Sequence, residues 1–222
     1  MKERAETPFH FFTRLTLTTL TGRRAGNARE LLDGINAVSD NVIYQHTHRY
    51  LQQHPFLTPE TPNDFADWAT HFLGDEALGE RLASVNTVRF SGLGDLRQAL
   101  STAIEKHMDW RGDGRAAPEG KEFHFMGAVR FSIPTPHMAC DLPEFLDGLG
   151  KVSVSSLYLH LYEARLRPPY GVNDFSHWLE RELGRTGLAK KVAGLDPTTH
   201  TLEGLRTKIV AFIEQEIGHG AA

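Results

Sequence analysis

The chain has a single cysteine, Cys140. No intramolecular disulfide can form, so packing and hydrogen bonds must hold the fold, and a lone thiol suits a reducing compartment. A cytoplasmic setting is expected. There is no excess of positive charge: 24 Lys and Arg stand against 28 Asp and Glu, a formal net charge of −4. A dedicated nucleic-acid binder carries a basic face, so nucleic acid is not expected as a partner. Long apolar runs are missing too. The stretch from Phe9 to Leu20 is broken by His, Arg and Thr, and the charged residues before it do not form a signal peptide. A membrane is therefore not expected as a partner either. The chain has no GxGxxG, Walker A, GxSxG, HExxH, CxxC or EF-hand pattern. No cofactor and no catalytic residue are assigned, and the sequence leans away from an enzyme.

What the chain does have is a copy of itself. Phe9-His10-Phe11 recurs as Phe123-His124-Phe125, and Glu30-Leu31-Leu32-Asp33-Gly34 as Glu144-Phe145-Leu146-Asp147-Gly148. Tyr44-Gln45-His46 recurs as Tyr158-Leu159-His160 at the same offset. After a shorter loop, Asn63-Asp64-Phe65-Ala66-Asp67-Trp68 recurs as Asn173-Asp174-Phe175-Ser176-His177-Trp178. The period is too long for a solenoid, whose units run to about 20–50 residues, and points to an internal duplication. The segment 109–121 is rich in Gly and charge, without an apolar period, and reads as a linker. The expected units are 8–108 and 122–218.

Each unit opens on an aromatic, β-branched segment that predicts a short strand or hairpin, ended in the second copy by Pro134 and Pro136. Helices follow. Asn27 and Asp141 are N-cap residues with Glu30 and Glu144 three positions on, a capping-box spacing. Ser39 and Ser153 cap a second helix, and Asn63 and Asn173 a third. The third is closed by Leu73-Gly74 and Leu183-Gly184. A last helix carries Leu96, Leu100, Ile104 and Met108 in one copy and Leu205, Ile209, Ile213 and Ile217 in the other. The expected fold class is mainly α: two tandem small helical-bundle units, each with a short N-terminal β element.

The Phe-x-Phe opening, the capped Glu-Leu-Leu or Glu-Phe-Leu, Tyr-x-His, Asn-Asp-Phe-x-x-Trp and the final Leu-Arg helix together resemble DUF5752. Tyr44-Gln45-His46-Thr47-His48, Pro62 to Trp68 and Leu96-Arg97 carry the match in the first copy. DUF5752 is a prokaryotic family without an assigned function. The resemblance extends over nearly the whole chain outside the linker, as two tandem copies. It implies no activity, cofactor or catalytic residue.

Twelve histidines invite a metal reading, but only His10/His124 and His46/His160 recur between copies. His46 and His48 are two apart and diverge on a helix, so no metal site is expected. The sharper candidate is a ligand pocket in each unit: His10, Tyr44, His46 and Asp64, repeated as His124, Tyr158, His160 and Asp174. A histidine beside a carboxylate and a tyrosine suits acid–base work. The same residues also serve as hydrogen-bonding groups that dock the extended segment on the bundle. The loops offer a second candidate, an apolar partner surface made of Tyr50, Phe56 and Leu57 in one copy and Pro169 and Tyr170 in the other. The leading expectation is a non-enzymatic protein-interaction or scaffolding protein. The alternative is a small-molecule binder or enzyme with one His/Tyr/Asp pocket per unit.

Overall fold

In the computed structural model, residues 3–49, 61–112, 114–167, 171–196 and 200–220 are described. Two long strands frame the element order. Strand β1 spans Phe9–Ala25 and is followed by α1 (Ala28–Ala37), α2 (Asp40–Tyr44) and a π-helical turn (Gln45–Arg49). Then come α3 (Asp64–His71), α4 (Glu76–Ala83) and α5 (Leu93–Arg111). Strand β2 (Phe123–Ala139) precedes α6 (Leu142–Lys151), α7 (Val154–Leu161) and a 3-10 turn (Glu163–Leu166). The chain closes with α8 (Asp174–Arg181), α9 (Thr186–Ala193) and α10 (Leu202–Gly220).

The helix boundaries follow local chemistry. The Asn27 side chain accepts the Glu30 N–H, and the Glu30 carboxylate reaches back to the Gly26 N–H. Asp141 and Glu144 repeat the arrangement, with Cys140 as the outer donor. Asn63 and Asn173 accept the N–H of Ala66 and Ser176, which satisfies donors that a helix start otherwise leaves open. Gly74 and Gly184 sit at φ 70° and 65°, the left-handed geometry that ends a helix without a Cβ penalty.

The fold class is mixed α/β, which corrects the expectation of mainly α tandem bundles with short β elements. β1 and β2 are each 17 residues long and pair as a two-stranded sheet. Thr135 donates to the Phe11 carbonyl and Thr21 to the Phe125 carbonyl, so the strands run antiparallel. Pro134 and Pro136 do not end β2. Each strand of a two-stranded sheet keeps one open edge, where a missing N–H costs no ladder bond.

The compact units are not tandem. One contains α1–α5 and takes in Thr16 to Val129; the other contains α6–α10 with the residues up to Leu15 and from Arg130 onward. Each strand thus begins in one unit and ends in the other. In the α1–α5 unit, Phe123 and Phe125 of β2 join Leu31, Ile35, Phe65, Leu78, Leu100 and Ile104 in the core. In the α6–α10 unit it is Phe9 and Phe11 of β1 that pack, ring to ring, on Phe145 and Phe175 at 5.3–6.2 Å. The aromatic start of each strand therefore docks on helices from the other half of the sequence.

Candidate functional site

The docking of each aromatic segment is fixed by the same set of contacts. In the α1–α5 unit, Trp68 on α3 donates its indole N–H to the Lys121 carbonyl at 2.8 Å. His46, on the π-helical turn, accepts the Met126 backbone N–H on Nε2 at 2.9 Å. Its proton then resides on Nδ1, which lies 2.7 Å from Asp64 Oδ2 at the first turn of α3. In the α6–α10 unit, Trp178 donates to the Thr7 carbonyl at 2.9 Å and His160 Nε2 accepts the Phe12 N–H at 2.9 Å. His160 Nδ1 faces Asp174 Oδ2 at 2.7 Å. Gly34 and Gly148 lie directly beneath the Phe125 and Phe11 rings, where a Cβ would collide with them. That steric demand explains why a glycine stands at this position in both helices.

Both histidines are almost fully buried, while Asp64 and Asp174 are 28% and 29% exposed. Each imidazole uses both nitrogens, one on a carboxylate and one on the strand backbone. The pair pins the strand by filling a backbone donor that an apolar groove would leave unsatisfied, a loss of about 1–3 kcal/mol.

Each pair also forms part of a cavity. That of the α1–α5 unit has a volume of about 320 Å³, with His46, Asp64, Trp68, Phe72, Lys121 and His124 among its walls. The other, about 350 Å³, is bounded by His10, His160, Asp174, Trp178, Arg167 and His177 among others. The expected sets are thus distributed differently. His124 joins His46 and Asp64, and His10 joins His160 and Asp174, because the strands are exchanged between halves. Tyr44 and Tyr158 line neither cavity. Tyr44 is buried and stacked on His48 with centroids 5.7 Å apart, and Tyr158 is buried beside Tyr162 at 5.6 Å. Tyr50, Phe56, Leu57, Pro169 and Tyr170 lie outside the described residues. Among the described residues no group of three or more His, Cys, Asp or Glu side chains could hold a metal ion.

Three further polar features have no sequence motif. Glu163 is buried in the α6–α10 unit and takes Arg14 of β1 at 2.9 Å and Arg130 of β2 at 3.0 Å. At the same offset the first copy has Arg49, so a charge reversal between copies was the available signal. His107 on α5 meets Asp75 at 2.9 Å, and at the equivalent positions Arg185 meets Glu216 at 3.3 Å, so the carboxylate has changed sides. Burial pushes the Tyr162 phenol up, beyond any physiological range, and lowers Arg165, whose guanidinium lies over the Tyr162 ring at 5.5 Å.

A family model described as a family of unknown function, DUF5752, matches residues 6–214. It is one match running through both halves, which corrects the expectation of two tandem copies. OrfY from Thermoproteus tenax has a similar solved structure: TM-score 0.82, 33% sequence identity, 96% of each chain covered. No curated protein matches the chain. No helix among the described residues is long and apolar enough to cross a membrane.

Proposed function

The chain belongs to the DUF5752 family, whose description assigns no activity, and on that premise we propose that it is a non-enzymatic protein-interaction protein that recruits its partner through the β1–β2 ribbon. The carrying observation is that the ribbon leaves large apolar side chains in solvent. In the α6–α10 unit these are Leu15, Phe131 and Ile133, each 42–48% exposed; in the α1–α5 unit they are Leu17, Leu20 and Val129. A surface strand ordinarily turns polar residues outward, and clusters of exposed apolar ones mark binding surfaces. A two-stranded sheet also offers open backbone edges, which a partner can extend by adding a strand. The dyad geometry supports a non-catalytic reading, since neither His46 nor His160 keeps a ring nitrogen for a substrate proton. We infer a cytoplasmic setting from the single free thiol of Cys140.

The test is affinity purification from native cells with the intact chain and with a Phe131→Ser, Ile133→Ser variant. Both positions are exposed, so the variant keeps its helical circular dichroism. A stoichiometric protein recovered by the wild type and lost by the variant is the expected result. Equal recovery by both would remove the ribbon from the interface.

A further inference from the structure

The two cavities share a His–Asp pair and a tryptophan, yet their rims differ in kind. In the α1–α5 unit the rim adds Asp67 and Glu122 to Asp64, and its outer wall is Phe72, 41% exposed. The equivalent positions in the α6–α10 unit are His177, Pro8 and, for the aromatic wall, Glu182. Formal charge among the wall residues of the first cavity, histidines neutral, is three carboxylates against Lys121; in the second it is Asp174 against Arg167. Only the first combines an exposed aromatic face with surplus negative charge, the two features that hold an organic cation.

A cation already stands there. Lys121 Nζ lies 5.6 Å from the centroid of the Phe72 ring, and the corresponding residue in the other unit is Thr7, which has no charge. The Lys121 carbonyl is bound by Trp68, so the backbone is held while the ammonium remains on a flexible four-carbon stem. Asp64 is taken by the buried His46 and Glu122 feels the Arg24 charge, but neither Asp67 nor Glu122 is held in a buried ion pair. Asp67 meets the Thr61 hydroxyl at 3.2 Å and the half-exposed His71 at 3.6 Å, and the Glu122 carboxylate is held by the N–H groups of Glu122 and Gly120.

We propose that the cavity of the α1–α5 unit is a binding site for a small organic cation, an alkylammonium group seated against Phe72 with Asp67 and Glu122 as counter-charges, and that the Lys121 ammonium occupies this position in the unliganded protein and competes with the ligand. The cavity of about 320 Å³ accommodates a group of choline size. The cavity borders the start of β2, but Asp67, Phe72, Lys121 and Glu122 lie outside both strands and away from the exposed apolar residues of the ribbon, so the proposal does not depend on the partner reading above.

Choline is the probe, titrated into the full chain at constant ionic strength while the Trp68 indole N–H resonance is followed by NMR. Its neutral isostere 3,3-dimethylbutanol is the control. Wild type shows saturable, millimolar binding of choline and little of the alcohol. Phe72→Ala weakens choline about tenfold, the scale of one cation–π contact. Lys121→Ala tightens it several-fold, because a competing cation is gone while the backbone bond to Trp68 remains. This increase is the discriminating result, since a merely structural lysine would weaken binding or leave it unchanged when removed. No perturbation by choline in either wild type or Lys121→Ala, equal binding of alcohol and cation, or weaker binding after Lys121→Ala would each overturn the proposal. The same titration in Glu182→Ala, at the position equivalent to Phe72, is expected to match wild type.

Discussion

The α1–α5 and α6–α10 units solve one problem identically and another in opposite ways. The problem they share is how to hold an extended Phe-His-Phe segment in a groove between helices. Both use a tryptophan N–H on the carbonyl two residues before the strand, a histidine nitrogen on a strand N–H, an aspartate behind the histidine and a glycine under the second phenylalanine. These contacts depend on shape and on directional bonds to backbone groups, which leave few substitutes. The polar pairs are different. Asp75–His107 in one unit becomes Arg185–Glu216 in the other, and Glu163 with its two arginines stands where the first copy has Arg49. An ion pair asks only for complementarity, so its sign can reverse while the fold persists. Docking geometry is thus the common element of the two units, and electrostatics is where they differ.

The largest effects should come from breaking what is common. Phe11→Ala and Phe125→Ala each remove a fully buried ring from an aromatic cluster, so each should cost about 3–5 kcal/mol by chemical denaturation. The two values should agree closely, because the rings occupy equivalent grooves above Gly148 and Gly34. A difference of more than about 2 kcal/mol between them would show that the two grooves hold their strands unequally.

A more selective break uses the divergence. Glu163→Gln keeps the size of the side chain but leaves Arg14, 10% exposed, facing a neutral amide. Removing one partner of a buried ion pair costs about 3 kcal/mol or somewhat more. The loss should be confined to the α6–α10 unit, and hydrogen exchange should rise there while α1–α5 amides keep their protection. Uniform loosening of both units would contradict this assignment.

How much of this was legible in the sequence follows the same division between local and distant. Asn27, Asp141, Asn63 and Asn173 act on residues three positions away, and Leu96, Leu100 and Ile104 declare a helix face by spacing alone. Such features are local and readable. Strand exchange is not, because Phe9-His10-Phe11 and Phe123-His124-Phe125 are near copies and either would suit either groove by composition. Grouping His10 with His46 followed chain order, whereas the fold groups His10 with His160. The strands' full length was hidden by Pro134 and Pro136, whose cost depends on the neighbours a strand has. Glu163 carries no motif at all; only its replacement by Arg49 in the other copy hinted at a special environment.

The smallest expected effect concerns Glu122, whose equivalent in the other unit, Pro8, cannot titrate. The backbone N–H groups of Glu122 and Gly120 donate to its carboxylate, favour the charged form and hold it below the ordinary value of 4.5. A depressed acid contributes stability that is fully present above its unfolded value and lost as pH falls through the folded one. The contribution should therefore be intact at neutral pH and disappear only in the acid range below 4.5. Because the carboxylate is exposed, the effect on overall stability is small, and an NMR titration of its side-chain carbon is the suitable measurement. An inflection clearly below 4.5 in wild type is expected. It should move upward in Arg24→Ala, which removes a nearby positive charge that also favours the carboxylate. An inflection that stays in place after that change would leave the Arg24 charge without a part in holding the carboxylate, and the acid-side difference between the two cavities would rest on the backbone donors of Glu122 and Gly120 and on His124.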